Sequence, residues 1–500
     1  MSLDHDDMID RLSSARIPDN TNISKEEKTL KSLQEEKENL MIEQNRQFME
    51  ELFVANKSQP IKVKNVQITN SQNFRDTFLE AQFKPLLASN QAISLESFLS
   101  NIEKVSKSFV KLNLVENLLV SIHPVPGTIT QSSIFGRRTF PDNGASISVV
   151  PIFNIVPVKK FYAKTGTNIG NGEGDGYIQF QLKNLFGGGE NLIFDAVTGT
   201  KTSSSYLLNY NQPVGNNADY ITENTFSVNT RKWDWLQADV STTGFSNKLY
   251  TQFDSYINHE LTMENYWKVL ENLSSKSMDV MVQSGSHFKS SLIYNMTYDS
   301  RNNKHLPTIG KFFRFGVEFN GLLKVTTSPY LKTIFESQYA LSLPKNWYSS
   351  LIFSTKSGLL YSLNKTSSVL DRFYIGGPND VRSFTLNGLG PKDYNSSIGG
   401  DIFFNGGISL VSKIPKVSPE SNFKIHNFIN FGKLIPLDKS AGVLNAFKAM
   451  TTDYSVSCGF GILYNHPMAR FELNFVLPLA VHERDYARKG LQYGIGLSFL

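Results

Sequence analysis

The 500-residue chain has one cysteine, Cys458, so no disulfide forms within it and an oxidising compartment is not required. No predominantly apolar run reaches the roughly 18 residues that a membrane-crossing helix needs. That leaves membrane barrels open, because a barrel strand takes only about 10 residues and half of them face a polar lumen. Charge of one sign is not in excess: 50 Lys and Arg against 45 Asp and Glu give +5, which is no nucleic-acid balance. The eight histidines (His5, His123, His259, His287, His305, His426, His466 and His482) show no His-x-x-x-His or Cys/His ligand spacing. There is no Gly-x-Ser-x-Gly elbow and no P-loop. Hence no metal, no cofactor and no enzymatic activity are expected. The start, Met1-Ser-Leu-Asp-His-Asp-Asp7, is acidic, whereas secretory signals are basic then apolar and matrix presequences avoid acids. Either the address lies elsewhere in the chain or the protein is cytosolic.

What is present points to β structure. The chain holds 36 Phe and 20 Tyr, aromatics make up 12%, and 34 residues are Gly. Aromatic residues suit pleated surfaces and form the interfacial girdles of membrane barrels. Mean hydropathy is only −0.25, as lumen-facing polar residues would require.

Three regions follow from the texture. Residues 1–58 form a charged tail, rich in Glu and Lys from Ser24 to Lys57. It reads as a solvated, partly disordered or helical segment, with a partner-binding helix as the alternative. Residues 60–160 read as a small α+β domain of order β-α-α-β-β. Ile61, Val63, Val66 and Ile68 mark a first strand with one irregularity. Helical periods run from Phe74 to Leu87 and from Leu95 to Val110. Strands cover Leu114–Val125 and Ile147–Val158, with a loop at 126–145. From Phe161 to Leu500 short alternating segments separated by turn residues take over. In Arg470–Leu477, Phe471, Leu473, Phe475 and Leu477 alternate with Arg470, Glu472 and Asn474. In the final segment Leu491, Tyr493, Ile495, Leu497 and Phe499 alternate with Gln492, Gly494, Gly496 and Ser498. At roughly 20 residues per strand and connection, about 16 or 17 strands fit. A closed barrel satisfies every backbone group, the only way a sheet can sit in lipid. The pattern favours an all-β transmembrane barrel over 161–500 with an N-terminal α+β domain; a soluble sandwich would also alternate, but one of that size would usually split into domains.

The segment Phe373-Tyr-Ile-Gly-Gly-Pro-Asn-Asp-Val-Arg-Ser-Phe384 resembles the lumenal-loop signature of proteins that join POTRA domains to a barrel and assemble outer-membrane proteins. Val381, Arg382 and Phe384 match that signature, and Ser383 replaces the usual Gly. Asn465–Phe475, Arg488–Leu500 and Phe161–Asn168 resemble the fungal branch of the family of core barrel subunits of the mitochondrial sorting and assembly machinery. Gly399-Gly-Asp401 and Phe428-Ile-Asn-Phe-Gly432 are similar to it as well. The resemblance implies one POTRA domain over 60–160, 16 strands, and β-barrel insertase activity without a cofactor. It also implies a mitochondrial outer-membrane location with the POTRA domain in the intermembrane space. The implied partners are peripheral cytosolic-face subunits of that machinery, client β-barrel precursors (porin and the import-pore subunit) and the lipid bilayer. A second barrel copy is left open.

On the family motif, Arg382 is expected to pair with Glu472 and pin the loop to the wall, since a barrel-interior Arg keeps its charge and needs an acid or water. Gly376, Gly377 and Pro378 are expected to set a tight turn at the loop's base. Closure requires the first strand (Phe161, Ala163, Thr165, Gly166, Asn168) to meet the last (Gly490, Gln492, Tyr493, Gly494, Gly496, Leu497, Phe499). Glycine weakens strands. A lateral gate at this seam, where an incoming strand adds by β-augmentation, is one reading. Glycines that only accommodate curvature are the other. Gly187-Gly-Gly189 reads as a hairpin turn and not a phosphate cradle. The rival functions are a passive outer-membrane channel or protein-translocating pore, and an outer-membrane hydrolase.

Overall fold

The structure, a computed structural model, describes residues 25–87, 91–125, 146–170, 173–344, 349–364, 366–418, 421–440, 443–466, 470–482 and 484–496. The expected loop at 126–145, Leu497, Phe499 and the side chains of Asn168 and Ile495 lie outside the described residues.

Helix α1 (Lys25–Asn56) comes first and carries exposed Leu40, Met41 and Phe48. The α+β segment then runs β1 (Pro60–Val63), β2 (Gln67–Thr69), α2 (Asp76–Leu87), β3 (Ile93–Ser94), α3 (Leu95–Lys111), β4 (Val115–Pro124) and β5 (Ile147–Pro157). The single irregular strand expected over Ile61–Ile68 is two strands. After Val63 the chain leaves the ladder, and the N–H of Lys64 donates to the Val149 carbonyl. The short β3 was not foreseen; two residues leave no readable alternation. Contacts group the described residues within 1–67, 85–104 and 120–153 as one compact unit, and those within 68–84, 105–119 and 154–500 as another. In the first unit β1 pairs in parallel with β5, Ile61 opposite Ile147, and antiparallel with β3. Ile61, Leu86, Phe98, Ile102, Val149 and Phe153 are buried there. In the second, Phe74 and Phe78 meet Phe109 edge-on.

The barrel strands are β6 (Phe161–Gly170), β7 (Glu173–Lys183), β8 (Asn191–Gly199), β9 (Thr202–Val214), β10 (Asn217–Trp233), β11 (Ala238–Thr251), β12 (Ile257–Asn272), β13 (Gly285–Asp299), β14 (Gly310–Asn320), β15 (Tyr330–Ser342) and β16 (Ser349–Ser362). A two-strand ladder in a long loop, β17 (Lys392–Asp393) with β18 (Ser396–Ser397), follows. The barrel resumes with β19 (Ile402–Lys413), β20 (Phe423–Ile435), β21 (Ser455–Asn465), β22 (Arg470–Ala480) and β23 (Gly490–Gly496). Two short helices, α4 (Met278–Val282) and α5 (Val443–Ala449), sit in connections. All 16 long strands form one sheet in sequence order, each antiparallel to its neighbour.

The period-two pattern acts as expected. On β22 Arg470, Glu472 and Asn474 are buried while Phe471, Leu473, Phe475 and Leu477 are exposed. Apolar side chains thus face outward and polar ones inward, the inverse of a soluble sheet and the pattern of a barrel in lipid. The ladder's ends are β6 and β23, and among the described residues no pairing joins them. Gly187 and Gly189 lie in the turn between β7 and β8 with positive φ, and the Glu190 carboxylate already accepts the N–H groups of Phe186 and Gly188.

Candidate functional site in the barrel lumen

The connection from β16 to β19, residues 363–401, enters the lumen and is fixed there at both ends. Its apolar residues Phe373, Ile375, Val381, Phe384 and Leu389 pack with inward Tyr330, Leu360, Phe403 and Leu434 from the wall. Gly376 and Gly377 adopt φ of 108° and 131°, values that side chains rarely tolerate, so glycine is required at this turn. Asp380 closes the turn by accepting from the N–H of Gly376 (3.0 Å) and from Asn405 Nδ2 (2.6 Å) on β19. Burial pushes the Asp380 carboxyl up, against the pull of Lys356.

At the tip Arg382 is wholly buried. Its Nε and Nη2 donate to the two carboxylate oxygens of Glu472 at 2.9 and 3.1 Å, and Nη1 donates to Asn430 Oδ1 at 3.2 Å. The guanidinium lies 4.8 Å from the centre of the Phe428 ring. This is bidentate recognition of a carboxylate, where lysine would be a poor substitute. Glu472 is shared: Arg470 contacts it, and Asn474 donates to it at 2.7 Å. The cluster therefore draws on β20, β22 and the loop.

Ser383 next to it sits at φ 74°, the left-handed region that glycine occupies freely. Serine keeps the backbone shape expected of glycine, and its hydroxyl donates to the Arg488 carbonyl at 2.9 Å. Its N–H donates to Gln492 Oε1 at 3.0 Å, tying the loop to β23. The tie extends through backbone bonds from Arg488 to Ser383 and from Thr385 to Tyr486, and a bridge pairs Phe384 with Ala487. Gly390 donates to Asp485, and Lys392 donates to the carbonyls of Gly388 and Arg484. Burial pushes the Lys392 ammonium down to about 8, Asp485 opposing it. Pro378, Phe384, Thr385 and Leu386 line a cleft of about 210 Å³ with Arg488, Leu491, Gln492 and Tyr493.

The other end of the loop is anchored on the far wall. Asp371 pairs with Lys268 at 2.9 Å, and its carbonyl accepts from Lys332 at 2.8 Å. Arg372 pairs with Asp279 of α4 at 3.0 Å, and Tyr374 stands edge-on to Trp233. Asp393 accepts from Ser277 and from the Met278 N–H.

A model of the Omp85 superfamily domain matches residues 184–499. The SAM50-like protein of Schizosaccharomyces pombe is 30% identical, over 93% of this chain and 96% of that protein. The chain belongs to the Omp85 superfamily. Within it the sorting assembly machinery 50 kDa subunit of Saccharomyces cerevisiae is also 30% identical, over 88% of this chain and 94% of its own length. The sorting and assembly machinery component 50 homolog of Homo sapiens is 31% identical over 70% of this chain and 75% of its own. The chain thus falls among the SAM50 homologues of this superfamily. In fold it is similar to BamA from Haemophilus ducreyi lacking POTRA domains 1–3, with a TM-score of 0.69 at 14% identity over 87% of this chain and 84% of that one.

In this Omp85 chain the candidate residues divide into two groups. The loop motif and Glu472 come together, and β23 joins them through Gln492. Phe161, Ala163, Thr165 and Gly166 stay apart on the β6 edge. A Cβ on Gly166 would fall 2.8 Å from the Tyr177 hydroxyl, so glycine there makes room for the ring on the neighbouring strand. Gly494 stands opposite Glu472 in register. Sequence reasoning missed Asn430 and Ser457 as partners of Arg382, although Asn430 lay in a segment already singled out. It missed the Lys268–Asp371 anchor altogether.

Proposed function

We propose that the chain inserts β-barrel precursors into the mitochondrial outer membrane by lending them the backbone edges of β6 and β23. Family membership supplies the coarse part: an Omp85 barrel of the mitochondrial outer membrane with a role in β-barrel assembly. The observation that carries the finer part is the ladder itself. Fifteen antiparallel pairings link sixteen strands in order, and among the described residues the first and last strands remain edges. An edge strand offers unpaired N–H and C=O groups, and an extended segment adds to it by main-chain hydrogen bonds. No catalytic side chain is needed for that exchange.

The fixed loop supports the same reading. Its tip is fastened to β23 and to the connection just before it, so the edge is held in shape from the lumenal side. The apolar cluster of loop and wall residues fills part of the lumen and narrows any passive path through it. The final segment Gln492-Tyr-Gly-Ile-Gly-Leu-Ser-Phe499 has the polar-x-Gly-x-x-hydrophobic-x-hydrophobic pattern of client end strands. The same edge that receives clients therefore also served as this chain's own address. In this reading the α+β segment is a POTRA domain facing the intermembrane space. The partners are the peripheral cytosolic-face subunits of the machinery and clients such as porin and the import-pore subunit.

Depletion tests the proposal. Mitochondria losing the chain should accumulate unassembled porin while other import continues. Normal porin maturation in depleted mitochondria, with loss only of ion or metabolite flux, would favour the passive channel.

A further inference from the structure

Between β20 and β21, residues 449–454 fold back over the outer wall of the barrel. Lys433 on β20 alternates with the inward Asn430, Gly432 and Leu434 positions and so belongs to the outward set, yet it is buried. Its ammonium donates to the carbonyls of Ala449, at the end of α5, and Thr452, at 2.8 and 2.6 Å. A cation at a helix C-terminus satisfies carbonyls that lack partners within the helix. Tyr454 meets the rings of Phe404 and Phe431 at 6.3 and 5.8 Å, and Met450 is buried. The segment 450–454 is thereby held as a roof against the outer face of β19 and β20.

Beside that roof the outer wall is notched. Strand register places Phe315, Phe335, Ser357 and Phe404 in one outward row, a serine among three phenylalanines. The next row reads Val317, Thr333, Leu359 and Ile402. Ser357 and Thr333 thus form the floor of a furrow walled by Phe335, Leu359 and Phe404 and roofed by Met450. It has a volume of about 650 Å³, and among the described residues no charged side chain lines it. That size is ample for an apolar ligand. The furrow opens on the face that the bilayer bathes, and exposed Lys448 stands two residues before Met450.

We propose that this furrow is a binding site for an acyl chain of a membrane phospholipid. The apolar walls take the chain, and the bilayer that bathes this face supplies it. The lipid would fill a notch that a substituted wall leaves open, and so hold the roof and the wall together.

Native mass spectrometry of the full chain, extracted in mild detergent and delipidated stepwise, tests this. Wild type should retain a phospholipid after bulk lipid is gone. Ser357→Phe and Thr333→Phe, which fill the floor, and Met450→Ala, which opens the roof, should each lower retention about tenfold or more. Thr243→Phe, at an exposed outward position on β11, should leave it unchanged. Heat-modifiability on gels identifies folded barrels, and should one filling variant fail to fold, the other and Met450→Ala decide. Retention equal in the filled and control variants would overturn the proposal. So would a wild type that retains no lipid, or one that retains a sterol or a second protein chain there.

Discussion

Replacing Arg382 by Ala should release the tip of the lumenal loop. In the wild type its guanidinium makes two charge-assisted bonds to Glu472 and one to Asn430, with no access to solvent. Removing one partner of a buried pair costs about 3–5 kcal/mol, mostly because the other charge is left without compensation. Here Arg470 and Asn474 still contact Glu472, which places the loss near the lower end, about 3 kcal/mol. At about 1.4 kcal/mol per factor of ten, opening of the tip becomes roughly a hundredfold more frequent. The assay is amide hydrogen exchange in the purified barrel, read at Ser383, Thr385, Tyr486 and Arg488, whose N–H groups fasten the tip to β23 and its approach. Arg382→Lys keeps the charge without the bidentate fork and should fall between. A double-mutant cycle with Glu472→Gln should show strong coupling. Exchange at these four amides rising less than about threefold in Arg382→Ala would mean that the pair carries little of the loop's stability.

Ser383→Gly removes the left-handed strain but also the bond to Arg488, so the denaturation midpoint should barely move. Ser383→Ala keeps the strain and loses the bond, and should destabilise by about 1 kcal/mol. Asp380 has a folded-state carboxyl held above its unfolded value by burial, so its contribution is greatest at low pH and is lost as pH rises from about 4 through the folded value. Asp380→Asn should remove that dependence and raise the resistance of the loop to protease at neutral pH relative to wild type. Lys268→Met leaves Asp371 buried without its nearest cation and should loosen the loop's other end, seen as faster exchange at Val369 and Arg372 with the tip amides unchanged.

Much of the barrel was legible because it follows from a period of two. Arg470, Glu472 and Asn474 face inward, while Phe471, Leu473 and Phe475 face outward, and sixteen such strands account for the chain after Phe161. The meeting of Arg382 and Glu472 was also readable, since one is a charge in a lumenal loop motif and the other an acid on an inward position. What did not show in the sequence depends on pairings between distant side chains. Lys268 and Asp371 lie 103 residues apart and neither stands in a motif. Lys433 reads as an ordinary lysine until the carbonyls of Ala449 and Thr452 come over it. The break between β1 and β2 and the two-residue β3 are too short to produce a period. Ser383 stands where the family motif has glycine; φ stays left-handed, and the hydroxyl finds a carbonyl that only the fold brings near.

In the proposed function, strand exchange takes place at the edges of β6 and β23. Cysteine pairs scanned across Ala163–Thr165 and Leu491–Tyr493, on a Cys458→Ser background, allow those edges to be bridged by oxidation in isolated mitochondria. If the edges are the template, the oxidised barrel should stall a radiolabelled porin precursor, and reduction should restore its maturation. Porin maturing at the same rate in bridged and reduced barrels would rule out strand exchange at this seam.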